Sequence, residues 1–184
     1  MKRLAIALFA LLASGCGYNR IQTLDEDINA YQGQIEAQLQ RRYDLIPNLV
    51  ETVRGIAQQE EDVFTSIAAS RARLGGAIES GDLAEMAAAN QALGQGLGRL
   101  LAVVENYPEL RSSENFQMLQ VQLEGTENRI ATARQDYNNA VRDYNGYIRR
   151  FPQVLTAKAI GAAPRVYFEV ADEAVREAPT VSFD

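Results

Sequence analysis

An all-α fold, an elongated antiparallel helical bundle of three to four long helices plus a short C-terminal helix, is predicted by three features of this 184-residue sequence. First, between residues 116 and 151 apolar or small side chains recur at alternating steps of three and four: Phe116, Leu119, Leu123, Thr126, Ile130, Ala133, Tyr137, Ala140, Tyr144, Tyr147 and Phe151. A seam of that period stays on one side of a helix only when the helix winds left-handedly against partners. Second, the same alternation appears in two earlier stretches. Third, no segment shows the two-residue period of a half-buried strand. At roughly 1.5 Å per residue the helix over residues 116–151 extends about 50 Å.

Taken in order, the first seam runs through Ile21, Leu24, Ile28, Tyr31, Ile35, Leu39, Ile46, Leu49, Val53, Ile56, Val63 and Ile67. Asn19 is a candidate cap, and Asp25, Glu26 and Asp27 suit an early helical turn. Pro47 removes an N–H and crowds the carbonyl of Tyr43, so a kinked but nearly continuous helix is expected. The first clear stop is Gly75-Gly76, followed by Ser80-Gly81-Asp82, with Asp82 capping the next helix. That helix shows Leu83, Met86, Asn90, Leu93, Leu97, Leu100 and Val104 and ends before Pro108. Gly94, Gly96 and Gly98 weaken it and suggest close approach of a neighbour. Residues 107–112 form a bend, and Ser112 or Ser113 caps the long helix, which stops at Phe151-Pro152. A short helix over 153–160 ends at Gly161. The divisions expected are residues 1–15 as a signal peptide, 16–20 as a short tethering linker, 21–163 as the bundle, and 164–184 as an irregular, loosely packed tail.

Residues 1–16 begin with two cations, continue with an apolar run from Leu4 to Leu12, and close with Ala13-Ser14-Gly15-Cys16. The run is shorter than the roughly 20 residues of a membrane-crossing helix and has the layout of a signal peptide. The closing residues resemble a bacterial lipobox, which implies cleavage before Cys16 and acylation of its thiol, with several acyl chains giving stable attachment. Cys16 is the one cysteine in the chain, so no intrachain disulfide can form. The expected location is extracytoplasmic and membrane-anchored, on the outer membrane if the cell is Gram-negative, with the inner membrane as the alternative. Loss of Lys2 and Arg3 takes the net charge from −6 to −8. An acidic body argues against nucleic acid as a partner.

The residues Gln40-Arg41-Arg42-Tyr43-Asp44-Leu45-Ile46-Pro47-Asn48-Leu49-Val50 resemble the LemA family. Tyr18-Asn19, Tyr107-Pro108-Glu109-Leu110, Glu124-Gly125-Thr126-Glu127-Asn128-Arg129-Ile130, Ala133-Arg134, and the pairs Tyr137-Asn138 and Tyr144-Asn145 follow its pattern in order. The resemblance implies a helical bundle at the envelope with no agreed biochemical activity, and relatives associated with membrane shaping in magnetosomes. Many family members carry a longer N-terminal membrane helix, where this sequence has a lipobox-like cysteine.

Histidine is absent, which removes the commonest general base, transition-metal ligand and pH switch. No cofactor, metal or catalytic residue is assigned, and the chain reads as non-enzymatic. Glu124 and Glu127, three apart on a helix, suit either a hard cation or, as the preferred reading, ion pairs with Arg129 or Arg134 that set helix register. Arg41, Arg42, Tyr43 and Asp44 form the densest polar cluster beside an apolar seam, read as inter-helix register contacts or as a partner-docking patch. The tyrosine series reads as core. The function expected is an interaction or scaffold module, tethered to the membrane through lipidated Cys16 and meeting an envelope protein or its own kind. Membrane remodelling or spacing is the alternative, and an envelope enzyme or ligand or metal sensor is a third.

Overall fold

The computed structural model of the protein describes residues 2–57 and 59–169, with side chains from residue 17 onward. The Cys16 thiol and the tail residues Val181 and Phe183 therefore lie outside what is described. Among the described residues there are six helices and no strand: α1 (Lys2–Arg54), α2 (Glu61–Ser80), α3 (Leu83–Val104), α4 (Pro108–Arg111), α5 (Glu114–Ile148) and α6 (Gln153–Ala159). The all-α class follows directly. The chain divides into two compact units: unit 1 is Met1–Gln38 with Gly125–Tyr167, and unit 2 is Leu39–Glu124 with Phe168–Asp184.

In unit 1 the early part of α1 buries Ile21, Leu24, Ile28 and Ile35, and the later part of α5 buries Ile130, Ala133, Tyr137, Val141, Tyr144 and Ile148. The α1 set follows the predicted seam, whereas on α5 Val141 and Ile148 are buried where the seam named Ala140 and Tyr147, which are only half-buried. Phe151 departs from the seam because α5 has already ended at Ile148, leaving its ring 80% exposed. The helix α1 does not begin at Asn19. It is already helical from Lys2, and the Asn19 carbonyl instead accepts from Thr23 Oγ1 at 3.0 Å. Within the expected linker Gly17 is buried, and a Cβ there would lie 3.4 Å from Thr156 Oγ1 of α6, while residues 18–20 are exposed.

Unit 2 is built from the later part of α1, then α2, α3, α4 and the start of α5. Its core includes Ile46, Leu49, Val53, Phe64, Ile67, Leu74, Met86, Leu93, Leu100 and Phe116. The first break comes at Gly55, earlier than the seam suggests: α1 ends at Arg54, Ile56 is exposed, and α2 begins at Glu61. Gly75 and Gly76 sit inside α2, and the real stop is Gly81, whose φ of 70° places it in the left-handed region that a glycine enters without a Cβ penalty. Asp82 then caps α3, its carboxylate accepting from the amides of Ala84 and Glu85 at 3.0 Å each. Ser113 caps α5 by accepting from Phe116 N at 3.3 Å.

The small residues of α3 allow close approach at one point. A Cβ on Gly96 would stand 3.0 Å from Ile67 Cγ1, whereas Gly98 has nothing within 4 Å. Gly33 and Gly76 are equally open. Gly33, Gly76 and Gly98 each lie inside a helix and cost up to about 1 kcal/mol relative to alanine. Gly33→Ala, Gly76→Ala and Gly98→Ala are thus each expected to raise the melting temperature by about 2–4 °C. Gly96→Ala should lower it, and calorimetry of the four variants checks the contrast.

Candidate functional site

Two polar nodes stand out, one in each unit. The node in unit 2 is organised by Pro47. Inside α1 this proline has no N–H to offer the carbonyl of Tyr43, four residues earlier, so the helix leaves an acceptor without its backbone donor. That acceptor is used by another helix: Arg71 Nε of α2 donates to Tyr43 O at 3.1 Å. The same guanidinium stacks over the Tyr43 ring, 3.8 Å from its centroid. One helical turn further along α2, Gly75 leaves space for that ring, since a Cβ would stand 3.1 Å from Tyr43 Cε2. So α1 remains helical through Pro47, and α2 remains helical through Gly75, because each accommodates the other.

Arg42, next in sequence, is 5% exposed and reaches α3, where Nη1 donates to Asn90 Oδ1 at 2.8 Å. Its Nη2 would be 3.7 Å from a Cβ on Gly94. Burying a guanidinium is costly unless it is hydrogen-bonded, which fixes Arg42 to this position. The other two members of the predicted cluster point outward. Arg41 is exposed, and Asp44 is exposed and accepts from Gln40 Nε2 at 2.9 Å. On α5, Glu124, Glu127 and Arg134 are all exposed, and Glu124 accepts from Gln120 Nε2 at 3.0 Å. Among the described residues no cluster of three or more acidic, Cys or His groups is placed to hold a metal.

The node in unit 1 involves Arg165, which the sequence pattern did not mark. Residues 160–165 run as a strap without regular structure beyond Gly161, whose φ of 71° ends α6. Asn145 of α5 grips this strap twice: its Oδ1 accepts from Arg165 N at 2.8 Å, and its Nδ2 donates to Arg165 O at 2.9 Å. Tyr137 OH donates to Val166 O at 2.9 Å. The Arg165 side chain crosses to α1, where Nε donates to Asp25 Oδ1 at 2.8 Å and Nη2 to Asn29 Oδ1 at 3.1 Å. The start of the expected loosely packed tail is therefore held, at residues 165 and 166, by several hydrogen bonds. The Tyr137-Asn138 and Tyr144-Asn145 pairs are the one sequence signal that bears on it, because buried Asn and Tyr need partners.

Beside the strap lies a cleft of about 330 Å³ lined by Ile21, Gln22, Asp25, Tyr144 and residues 160–165. Burial pushes the Tyr144 hydroxyl above its ordinary pKa of 10.0, Asp25 pushes it further, and Arg165 opposes both. Burial likewise raises Tyr137 against the opposing pull of Arg165. Both phenols are protonated at neutral pH, and Tyr137 serves as a donor. The cleft thus presents the Asp25–Arg165 ion pair and the protonated hydroxyl of Tyr144.

Among the described residues, no helix is long and apolar enough to cross a membrane. The chain is similar to magnetosome proteins MamQ 1 and MamQ 2 of Paramagnetospirillum magneticum, at 31% identity to each over 83% of this chain and 64% of theirs. It is also similar to magnetosome protein MamQ of Magnetospirillum gryphiswaldense, at 30% identity over 82% of this chain and 64% of that protein. The match thus spans just under two thirds of the length of these curated relatives. Residues 31–183 match the LemA family, covering the Arg42–Tyr43 node and, in unit 1, Asn145 and Arg165 but not Asp25 or Asn29. The chain belongs to the LemA family.

Proposed function

We propose that this protein is a non-enzymatic interaction or scaffold module of the bacterial envelope, tethered to the membrane by acyl chains on Cys16. The observation that carries the reading is the placement of Cys16. It follows an apolar run and a lipobox-like tripeptide, and it immediately precedes Gly17, which is buried in the folded body. Acyl chains there would hold the bundle against the bilayer surface with no intervening spacer. Two or more chains give lasting attachment where one is marginal. That the curated relatives are magnetosome proteins by name supports membrane association. The two nodes support a structural role, since their charged groups are committed to joining helices.

Labelled palmitate followed by cell fractionation tests the tether. The native chain should take up label and sediment with membranes, and Cys16→Ala should lose both. An unlabelled native chain would refute it. Crosslinking in intact cells tests the scaffold role, with recovery of neither a partner nor an oligomer at native expression counting against it. The MamQ similarity favours a second reading, in which tethered copies shape or space membranes. Electron microscopy of vesicles carrying the purified lipidated chain separates the two, since only the second deforms or clusters them.

A further inference from the structure

We infer that residues 149–160 of unit 1 form a lipid-docking face that engages an anionic membrane surface. This rests on the tether proposed above, but it names a second and separate contact. The chain carries net charge −6, yet no acidic residue occurs between Asp143 and Glu169. Within that stretch Arg149, Arg150 and Lys158 are all exposed. Interleaved with them are large apolar side chains turned to solvent: Phe151 at 80% exposure, Leu155 at 60% and Ile160 at 38%. Exposed aromatic and aliphatic groups ringed by cations are the composition of an interfacial membrane contact.

The two sides of α6 explain how this face is presented. Gln153, Thr156 and the buried Ala157 turn inward, with Gln153 and Thr156 meeting α1 at Gly17. Leu155 and Lys158 lie on the opposite side. Because Gly17 adjoins Cys16, acylation would bring α6 to the bilayer at a high local concentration. The arginine and lysine heads would then meet phosphate groups while their stems and the Phe151 ring sit at the acyl boundary. The acidic remainder of the chain favours a lipid surface contacted at this face alone.

The sequence contains no tryptophan, so Phe151→Trp introduces a single fluorescent reporter at an already exposed position. The full lipidated chain is reconstituted in phosphatidylethanolamine–phosphatidylglycerol vesicles with or without brominated acyl chains. Emission of the Phe151→Trp chain should shift to the blue and be quenched at least twofold by the brominated lipid, whereas Val121→Trp, at a position 68% exposed in unit 2, should show neither. Adding Arg149→Glu, Arg150→Glu and Lys158→Glu to the Phe151→Trp chain should return its signal to the Val121→Trp level, with circular dichroism confirming the helices. A Phe151→Trp chain that floats with the vesicles but stays unquenched overturns the docking face and spares the tether. One that takes no palmitate yet is quenched overturns the tether and spares the docking face. A blue shift that depends on protein concentration without vesicles means that a second copy covers this face and overturns lipid docking.

Discussion

Arg71→Ala is expected to lower the stability of unit 2 by about 3 kcal/mol, read from denaturant unfolding. The hydrogen bond from a charged donor to the Tyr43 carbonyl contributes about 1.5–3 kcal/mol. Stacking on the Tyr43 ring adds roughly 0.5–2 kcal/mol. The decisive comparison is with Pro47→Ala. That change restores an N–H four residues after Tyr43, so the carbonyl regains its helical donor and has less need of Arg71. In the Pro47→Ala background, Arg71→Ala should therefore cost only about the stacking contribution. The two changes should be coupled by about 1–2 kcal/mol, well above the 0.3–0.5 kcal/mol scatter of independent sites. Additivity within that scatter would mean that Arg71 does not compensate for the proline. Arg71→Lys should recover little, because an ammonium lacks the planar fork that stacks and donates together.

The second large effect concerns the strap. Asn145→Ala removes both hydrogen bonds that hold the Arg165 backbone and should cost about 2–3 kcal/mol, since each buried group left unpaired costs about 1–3 kcal/mol. Arg165→Ala should cost less, about 1 kcal/mol. Its ion pair with Asp25 joins side chains that are 37% and 31% exposed, where solvent screens much of the attraction. Hydrogen exchange and limited proteolysis provide the local readout. Asn145→Ala should expose the 160–167 backbone while far-ultraviolet dichroism still reports the helices. If Arg165→Ala opened the strap more than Asn145→Ala, the guanidinium rather than the amide would be its main fastening.

Much of this architecture is legible in the sequence. The seams on α1, α3 and α5 are buried nearly as the three-four spacing implies, because burial of one stripe is what selects such spacing. Continuity through Pro47 is also foreshadowed by the uninterrupted seam, but its cause is not. The compensating guanidinium lies 28 residues away, a separation that no local pattern encodes. The glycines mislead for a related reason. Gly55 ends a helix while Gly75 continues one, and the difference is the Tyr43 ring that Gly75 accommodates. Arg165 escapes notice because an extended strap has no period, and its partners are contributed by helices distant in sequence.

The Arg165–Asp25 bond spans 140 positions of the chain. Unit 2 draws its described core from a nearly contiguous stretch of sequence, whereas unit 1 needs residues from both early and late in the chain. Loop closure over such a span must precede any reward from the contacts it brings together, which slows assembly relative to neighbouring helices that pack locally. A chain emerging in order from a ribosome or a translocase can therefore form its middle first. Unit 1 completes itself only after residue 165 has arrived, so premature termination would leave a formed unit 2 and an unclosed early segment of α1.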